Sequence, residues 1–398
     1  MQCGREVAIL GTGMHPWGMF PDKYSSELAS HAIMAALKEA GLRWKDMQFM
    51  GAGVDSWRGG TGRHMGNDIS SRMGELGIPI VNIDNACATG VFTLKIVHDE
   101  IALGKYDVAI AVGGGKSPGG FFPLTPPITP VPIDIQILRW RIGLSNPSYW
   151  GIYMMRRMHL YGESEELLAS IKVKSAKSGA VNPYARYKRE FSLEEVLNSP
   201  MVCYPLRLYE ICATSQGAAA IILGSVDKAK QLGINPIITI AAAATGSPLW
   251  GDSTIRLDTV SATAAESAPF FSEGWVAAHR TFEEAGMGPE DMDIAELPDN
   301  SPWHELEYFE TDGFCKPGEA GQLVREGYTD FNGKLPVNMS GGMASYGEVT
   351  NAQGLQQVID CVKQMRGNAP RQLEKKINTA FCQTYGGAGN NGACIIKR

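Results

Sequence analysis

The sequence predicts an α/β protein built from two similar halves that pack against each other. Three observations support this fold class. Apolar runs typical of buried strands, Val7–Gly13 and Tyr106–Gly115, alternate with helical periodicity in Ser25–Leu42. The segment Leu37–Met47 matches Phe282–Met292, since both contain E-A-G, a four-residue gap and D-M. The same order of helix, turn and strand around both segments indicates a duplication, with a site where loops of the two halves converge.

The elements of the first half follow in order. After the first strand, apolar residues at three- and four-residue spacing predict a helix from Ser25, and Gly41 is a plausible stop for it. Phe49–Ser56 is predicted to be the second strand. Tyr106–Gly115 is a nearly continuous apolar strand that ends in three glycines. Strands and helices in this order favour a sheet that is buried on both faces.

A proline-rich segment interrupts this pattern. Ser117–Asp134 holds six prolines, too many for a core helix or a central strand. We therefore expect a loop domain over 118–204, with Tyr149–Gly162 as an amphipathic helix inside it. The core pattern resumes with Gly217–Gly224 and Pro236–Ser247. The expected domains are an N-terminal half, 1–117 with 205–264, the loop domain, and a C-terminal half, 265–398.

Composition excludes several classes of protein. The 398 residues carry a net charge of −6, which argues against a nucleic-acid partner. The chain has no apolar run long enough to cross a membrane and no signal peptide, so we expect a cytoplasmic protein. None of the eight cysteines forms a CxxC pair, which argues against a metal site in this chain. The motif GTG at Gly11–Gly13 is not a dinucleotide fingerprint, because Pro16 stands at the third glycine position.

The segment VNIDNACATG (residues 81–90) contains the candidate nucleophile. Cys87 follows a β-branched run and precedes a helix-compatible stretch, so it would meet the positive end of a helix dipole. Such a position lowers the pKa of a thiol and favours the thiolate. The small neighbours Ala86, Ala88 and Gly90 would let a substrate carbonyl approach. Locally, a buried structural thiol explains the same residues, and the two interpretations stay open at this point.

The second half of the sequence decides between a catalytic and a structural role for Cys87. Together with NACATG, the segments CATSQGAAAIILGS, VNMSGG and the terminal GGAG resemble the thiolase superfamily over nearly the whole chain. That resemblance implies a thiolase fold, a duplicated five-layer α-β-α-β-α core with an inserted loop domain. It also implies acyl transfer to and from coenzyme A through a thioester on Cys87, with coenzyme A as substrate and no cofactor bound to this chain. The implied oxyanion hole uses the Cys87 N–H and the turn at Gly386 or Gly387.

The sequence departs from the family pattern at the proton-transfer residues. Glu348 stands where the second-half G-H-P histidine is usual, and Pro298 stands at the position of the other histidine or asparagine. Gln383 replaces the cysteine of the terminal C-x-G motif, with Cys382 one residue away. Candidate replacements are therefore a base, an amide donor, a shifted histidine, a tyrosine and a thiol: Glu348, Asn300, His304, Tyr346 and Cys382. For each of them a purely structural role is the competing interpretation.

The segment from Lys177 to Ala220 resembles the sterol-carrier and lipid-transfer branch of the family. That branch implies a homodimeric core and a small partner subunit with an OB-fold and a zinc ribbon. Within it, the chain is similar to thiolases of anaerobic toluene degradation, which cleave (S)-2-benzoylsuccinyl-CoA with CoA to benzoyl-CoA and succinyl-CoA. Aromatic residues that could line an aryl pocket are Gly119–Leu124, Trp140, Trp150 and Trp303. Cations that could bind the extra carboxylate of the substrate are Arg141, Arg156 and Arg157.

A rival function comes from another class. The missing histidines are equally expected of a thiolase-fold protein that does not carry out thiolysis. Such a protein would be a retro-aldolase, an acyltransferase to an acceptor other than CoA, or a structural subunit.

Overall fold

The computed structural model describes residues 4–54, 64–117, 145–249, 272–387 and 389–398. The strands are β1 (Val7–Gly18), β2 (Met50–Gly53), β3 (Ile80–Ile83), β4 (Val108–Lys116), β5 (Met201–Cys203), β6 (Leu206–Arg207), β7 (Gln216–Ser225), β8 (Thr239–Gly246), β9 (Ile294–Glu296), β10 (Thr379–Gly386) and β11 (Asn390–Lys397). The α-helices are α1 (Ser25–Ala40), α2 (Met65–Met73), α3 (Thr89–Ala102), α4 (Asn146–Tyr161), α5 (Glu165–Gly179), α6 (Leu193–Leu197), α7 (Val226–Gln231), α8 (Ser272–Ala285), α9 (Pro302–Thr311), α10 (Ala320–Arg325), α11 (Gly342–Tyr346) and α12 (Gln353–Arg366).

The main sheet has the strand order β3-β2-β4-β7-β1-β8-β11-β10-β9. It consists of two parts that meet where β1 and β8 pair at Ala8 and Thr239 alone. In the first part β2 is parallel to β3 and β4, and β7 is antiparallel to both β4 and β1. In the second part β9 is parallel to β10, and β11 is antiparallel to β10 and β8. The two parts therefore repeat one strand pattern.

Local structure repeats as well. Helix α1 ends at Gly41, in the left-handed region at φ 66°, and a short 3-10 helix leads from it to β2. Helix α8 is followed by Gly286 at φ 64° and by an equivalent 3-10 helix that leads to β9. Left-handed backbone in a non-glycine residue is uncommon, and among the described residues each half has one example: Ala86 at φ 50° after β3, and Asn338 at φ 56°.

Helices α3 and α12 form the middle layer between the two parts of the sheet. Helix α3 contacts strands of both parts, among them β4, β8 and β10, and α12 contacts α3, β9 and β10. Helices α1 and α2 cover the outer face of the first part, and α8 packs on the outer face of the second. A large apolar cluster fills the middle, and a second one lies beneath α1 and α2. The predicted α/β fold with a five-layer α-β-α-β-α core is confirmed by this arrangement.

The pairing of strand β8 affects where the boundary between the N-terminal and C-terminal halves lies. The sequence-based division placed it in the N-terminal half, up to residue 264. In the sheet it pairs along most of its length with β11 of the C-terminal half. An apolar run shows that a strand is buried but not which strand it pairs with, so the sequence could not place it. On strand pairing, we propose that the boundary lies between α7 and β8.

The described part of the loop domain packs on the C-terminal half through buried charges. Arg157 of α4 donates to Glu163 in its own segment and to Glu307 and Glu310 on α9, at 2.6–3.0 Å. Lys172 of α5 donates to the carbonyl of Ala344 on α11. Of the helices in the described ranges, none combines the length and the apolar character that a membrane span requires.

Candidate active site

Cys87 lies in the tight turn between β3 and α3. Ala86, directly before it, has its backbone in the left-handed region, and Ala88, directly after it, caps α3. The Thr89 hydroxyl holds this turn: it accepts from the Asn85 N–H at 2.7 Å and donates to the Ala86 carbonyl at 2.6 Å. The turn presents the Cys87 side chain at the amino-terminal end of α3, where it is 9% exposed.

The turn after β10 faces Cys87 from the other end of the chain. The Gly387 N–H points to the Cys87 sulfur. Gly386 fits closely beside the nucleophile turn, because a Cβ there would lie 2.7 Å from the Ala88 nitrogen. Only glycine allows such a backbone approach. Asn390 completes the turn by donating to the Gly387 carbonyl at 2.8 Å. The predicted oxyanion-hole residues are thus brought together, with the Gly387 N–H pointing to the sulfur.

A buried carboxylate, Glu348, contacts Cys87. Its side chain accepts hydrogen bonds from Cys87, Cys212 and Asn300. The Cys212 sulfur lies 3.8 Å from Glu348 Oε2, and Asn300 Nδ2 lies 3.6 Å from the Cys212 sulfur. These four side chains, Cys87, Cys212, Asn300 and Glu348, are called the cysteine–glutamate cluster below.

Backbone hydrogen bonds hold three distant segments together around this cluster. The Cys212 N–H donates to the Asn300 carbonyl at 2.8 Å, and the Glu348 N–H donates to the Ala213 carbonyl at 2.6 Å. Gly347 has a φ of 75°, and a Cβ at that position would lie 2.5 Å from the same Ala213 carbonyl oxygen. The segment before β7 is therefore fixed between the loop after β9 and the turn before α12.

The electrostatics of the cluster differ from the sequence-based expectation. Burial, followed by the Glu348 carboxylate, raises the pKa of the Cys87 thiol well above its usual range, and the Gly387 N–H opposes this shift. The expectation that the helix dipole lowers this pKa is wrong here, because desolvation of the thiolate outweighs the dipole. Burial also raises the pKa of Glu348 above 4.5. A thiol in contact with a strengthened carboxylate base can lose its proton to that base as it attacks.

His304 lies in an aromatic environment that includes Tyr385, a residue that interacts electrostatically with Cys87. The Ser301 N–H and hydroxyl lie 3.2 and 2.9 Å from His304 Nδ1, as the capping interaction of α9. Nδ1 therefore accepts, and the ring proton is on Nε2, for which the described residues provide no partner. Burial lowers the pKa of His304 to about 3, so the ring is neutral. A neutral buried imidazole can donate from Nε2 but is not a charged acid.

The side chains of two other predicted candidates, Cys382 and Tyr346, make their contacts outside the cysteine–glutamate cluster. The Cys382 sulfur contacts the Cys361 sulfur on α12 at 3.5 Å, in the core. The Tyr346 hydroxyl accepts from Asn182 at 2.8 Å and donates to Asp360 at 3.2 Å. Neither contact joins the cysteine–glutamate cluster. The alternation of side chains along a strand explains Cys382, which faces α12.

The sequence missed Cys212 and Tyr385. Cys212 lies in the CATSQGAAA segment that supported the resemblance, but no local feature distinguishes it from the other cysteines. Tyr385 is close enough to Cys87 for the two groups to interact electrostatically, and its hydroxyl is hydrogen-bonded to that of Tyr149. Its ring centroid lies 5.4 Å from that of His304.

The aromatic and cationic candidates have mixed outcomes. Trp150 and Trp303 are buried, with ring centroids 4.8 and 4.4 Å from His304. Arg157 is fully engaged by three glutamates, so it does not offer a free charge. Residues 119–124, Trp140 and Arg141 lie outside the described residues. Within the described ranges, no group of three or more histidine, cysteine or acidic side chains could hold a metal ion.

Comparison with known proteins agrees with this geometry. Residues 7–116 match the profile described as "Thiolase, N-terminal domain", and residues 257–398 match "Thiolase C-terminal domain-like". The benzoylsuccinyl-CoA thiolase subunit BbsB of Thauera aromatica is 32% identical, over 97% of this chain and 96% of that protein. An acetyl-CoA acetyltransferase of Methanothermobacter thermautotrophicus is 29% identical, over 98% of this chain and 99% of that protein.

A solved structure of similar fold is the Ltp2-ChsH2(DUF35) aldolase. The two structures superpose with a TM-score of 0.81 and 23% sequence identity. The match covers 100% of this chain and 99% of the aldolase chain. At this identity the match shows the fold alone. Taken with the sequence matches over both halves, it leads to one conclusion: the chain belongs to the thiolase family of acyltransferases.

Proposed function

We propose that this protein cleaves a β-keto acyl-CoA with coenzyme A through an acyl-thioester on Cys87. The observation that carries this proposal is the position of the Cys87 sulfur, which contacts both the Glu348 carboxylate and the Gly387 N–H. A nucleophile, its base and an oxyanion donor thus meet at one point. This set needs no histidine, which accounts for the departure from the family pattern.

In the first step Glu348 takes the Cys87 proton while the sulfur attacks the keto carbon. The N–H groups of Gly387 and Cys87 stabilise the oxygen that becomes negative. The carbon–carbon bond then breaks, and its electron pair leaves as the enolate of an acyl-CoA, which must be protonated on carbon. In the second step the CoA thiol loses its proton, attacks the acyl group on Cys87 and releases the Cys87 sulfur.

The proposed substrate is (S)-2-benzoylsuccinyl-CoA. The 32% identity with a benzoylsuccinyl-CoA thiolase subunit supports this assignment. The rings of Tyr385, Trp150 and Trp303 pack around His304, and Tyr385 interacts electrostatically with Cys87, so these aromatic residues suit a benzoyl group. For the free carboxylate of the substrate we propose buried Lys172 rather than Arg157, because Lys172 interacts with Asp299 and Cys212, whereas three glutamates engage Arg157.

We further propose that the chain works as a homodimer with a small OB-fold and zinc-ribbon subunit. The word "subunit" in the name of the Thauera protein and the two-component name of the aldolase structure both support a partner. Strand β3 is an edge strand and carries the exposed Val81, which suits a contact between two copies.

The test is Cys87→Ala in the protein purified with any partner it retains. Wild type incubated with benzoylsuccinyl-CoA should gain the mass of a benzoyl group on the Cys87 peptide and release succinyl-CoA. The variant should lose both, whereas Cys203→Ala, at a half-buried thiol of β5, should retain both. Faster thiolysis of acetoacetyl-CoA than of benzoylsuccinyl-CoA would remove the aromatic assignment. Full turnover by Cys87→Ala would instead establish the retro-aldolase alternative.

A further inference from the structure

The proposed reaction needs two different proton transfers, one at sulfur and one at carbon. Glu348 contacts Cys87 and so serves the sulfur. A group that protonates the enolate carbon must carry a proton when the carbon–carbon bond breaks. Glu348 then holds the proton of Cys87, and it contacts Cys212 as well as the Cys87 sulfur, so it can restore a proton to a neighbour that has protonated the carbon. The cluster contains one further acid, Cys212.

The surroundings of Cys212 suit a group that gives up a proton and takes it back. Its sulfur lies 3.8 Å from Glu348 Oε2, a hydrogen-bond distance for a thiol donor. On its other side Asn300 Nδ2 donates to the same sulfur at 3.6 Å. A donor aimed at sulfur stabilises the thiolate, and an adjacent carboxyl group can reprotonate it. A thiol that only fills the core needs neither contact.

The backbone fixes this thiol rigidly within the cluster. Its N–H donates to the carbonyl of Asn300, and the next residue accepts from Glu348. Both partners of the Cys212 sulfur are therefore bound to the Cys212 segment through main chain as well as side chain. Burial, followed by Glu348, raises the pKa of the Cys212 thiol well above its usual range, and Asp299 adds to this shift, so the thiol keeps its proton until a strong base such as the enolate carbon forms. The Asn300 amide and the charge of Lys172 oppose this shift.

We propose that Cys212 is the acid that protonates the enolate carbon, and in reverse the base that removes that proton. This inference rests on the proposed function. The Cys212 S–H gives its proton to the α-carbon, and the bonding pair of the S–H bond stays on sulfur. Glu348 then returns to Cys212 the proton that it took from Cys87. The carboxylate so regenerated accepts the CoA thiol proton and delivers it to the Cys87 sulfur as that sulfur leaves.

Two half-reactions separate this role from that of Cys87. Acylation of Cys87 by benzoyl-CoA involves sulfur alone, whereas exchange of the α-hydrogens of succinyl-CoA with D₂O involves carbon alone. In Cys212→Ser and Cys212→Ala, acylation should stay within about threefold of wild type, and α-hydrogen exchange should fall by about 100-fold or more. Cys203→Ser is the matched control and should leave both rates unchanged.

The outcomes are distinguishable. Exchange at the wild-type rate in both Cys212 variants overturns the inference and leaves the proposed function intact. An equal loss of acylation and exchange, with a lowered melting temperature, assigns Cys212 a structural role and also overturns it. Failure of wild-type protein to be acylated by benzoyl-CoA overturns the proposed function, and the inference falls with it.

Discussion

Asn85 donates a hydrogen bond from Nδ2 to Oδ1 of Asn390 at 3.2 Å, linking the two turns that flank the Cys87 sulfur. Asn85 belongs to the nucleophile turn and Asn390 to the turn after β10. Asn390 also donates to the carbonyl of Gly387, the residue whose N–H points to the sulfur. The Gly387 N–H, the proposed oxyanion donor, is thus positioned by two amide side chains, the first of which belongs to the turn that carries Cys87.

Two neighbouring glycines provide a matched pair of variants. In Gly386→Ala the new Cβ would lie 2.7 Å from the Ala88 nitrogen, so the terminal turn must move away from Cys87. In Gly387→Ala nothing lies within 4 Å of the new Cβ. We expect Gly386→Ala to slow acylation of Cys87 by about 100-fold, the usual cost of one oxyanion donor. Gly387→Ala should stay near wild type, and equal losses in both would contradict this role of the turn. Acylation followed by intact-protein mass spectrometry measures this.

Glu348→Gln should remove the base without changing the size of the side chain. We expect acylation to fall by about 10²–10⁴-fold, the range for general base catalysis. Because burial raises the pKa of Glu348, the wild-type rate should decline on the acid side at a pH above 4.5, where the carboxylate takes up a proton. That decline should be absent from the residual rate of the variant. Glu194→Gln, at an exposed residue of α6, is the control. An unchanged pH profile in Glu348→Gln would assign the base to another residue.

Cys382→Ala should leave acylation of Cys87 intact. The Cys382 sulfur packs against Cys361 in the core, away from the cysteine–glutamate cluster. Removing it creates a small cavity, so we expect a loss of about 1–2 kcal/mol in the free energy of unfolding. Chemical denaturation measures that loss. A Cys382→Ala variant that is fully stable but not acylated would reverse the assignment and place this thiol in the reaction.

Asp299 should make stability depend on pH. Burial, followed by repulsion from Glu305, raises the pKa of Asp299 from 3.8 to about 7. Between these values the folded state holds a proton that the unfolded state has lost, so this contribution to stability declines as pH rises towards 7. In Asp299→Asn it should be absent. The free energy of unfolding of wild type minus that of the variant should therefore be about 3 kcal/mol larger at pH 5 than at pH 8.

Urea unfolding at the two pH values measures this shift. Asp299 accepts from the Met343 N–H on Oδ1 and from the Ala344 N–H on Oδ2, and asparagine keeps only one of these two acceptors. The lost hydrogen bond lowers the stability of the variant equally at both pH values, so the pH-dependent part of the comparison isolates the charge. A stability difference that is independent of pH would show that Asp299 is ionised throughout.

The sequence predicted the fold well because its signals are local and repeated. The strand–helix alternation, the helix end at Gly41 and the E-A-G…D-M repeat all depend on neighbours in the chain, and each appears in the structure. The partner of β8 was not predictable, because an apolar strand fits a buried position in either half. Pairing is decided by packing between distant segments.

The site was predictable only in part, for a similar reason. Motifs pointed to Cys87 and to Glu348, which the structure brings into contact. The position of Cys212 in the site could not be predicted, because backbone hydrogen bonds between its segment and Asn300 and Glu348, which are distant in sequence, place it there. The pKa of Cys87 was expected in the wrong direction because the helix dipole can be inferred from sequence, whereas the depth of burial cannot.

The two left-handed residues show how the duplicated halves have specialised. Ala86 leads to a reactive side chain, and its own methyl group makes no polar contact. The side chain of Asn338 instead makes two structural hydrogen bonds: it accepts from the Leu297 N–H at 2.9 Å and donates to Glu305 at 3.1 Å. The same left-handed turn thus positions the proposed nucleophile in the first half, whereas in the second half it braces the loop that carries Asn300.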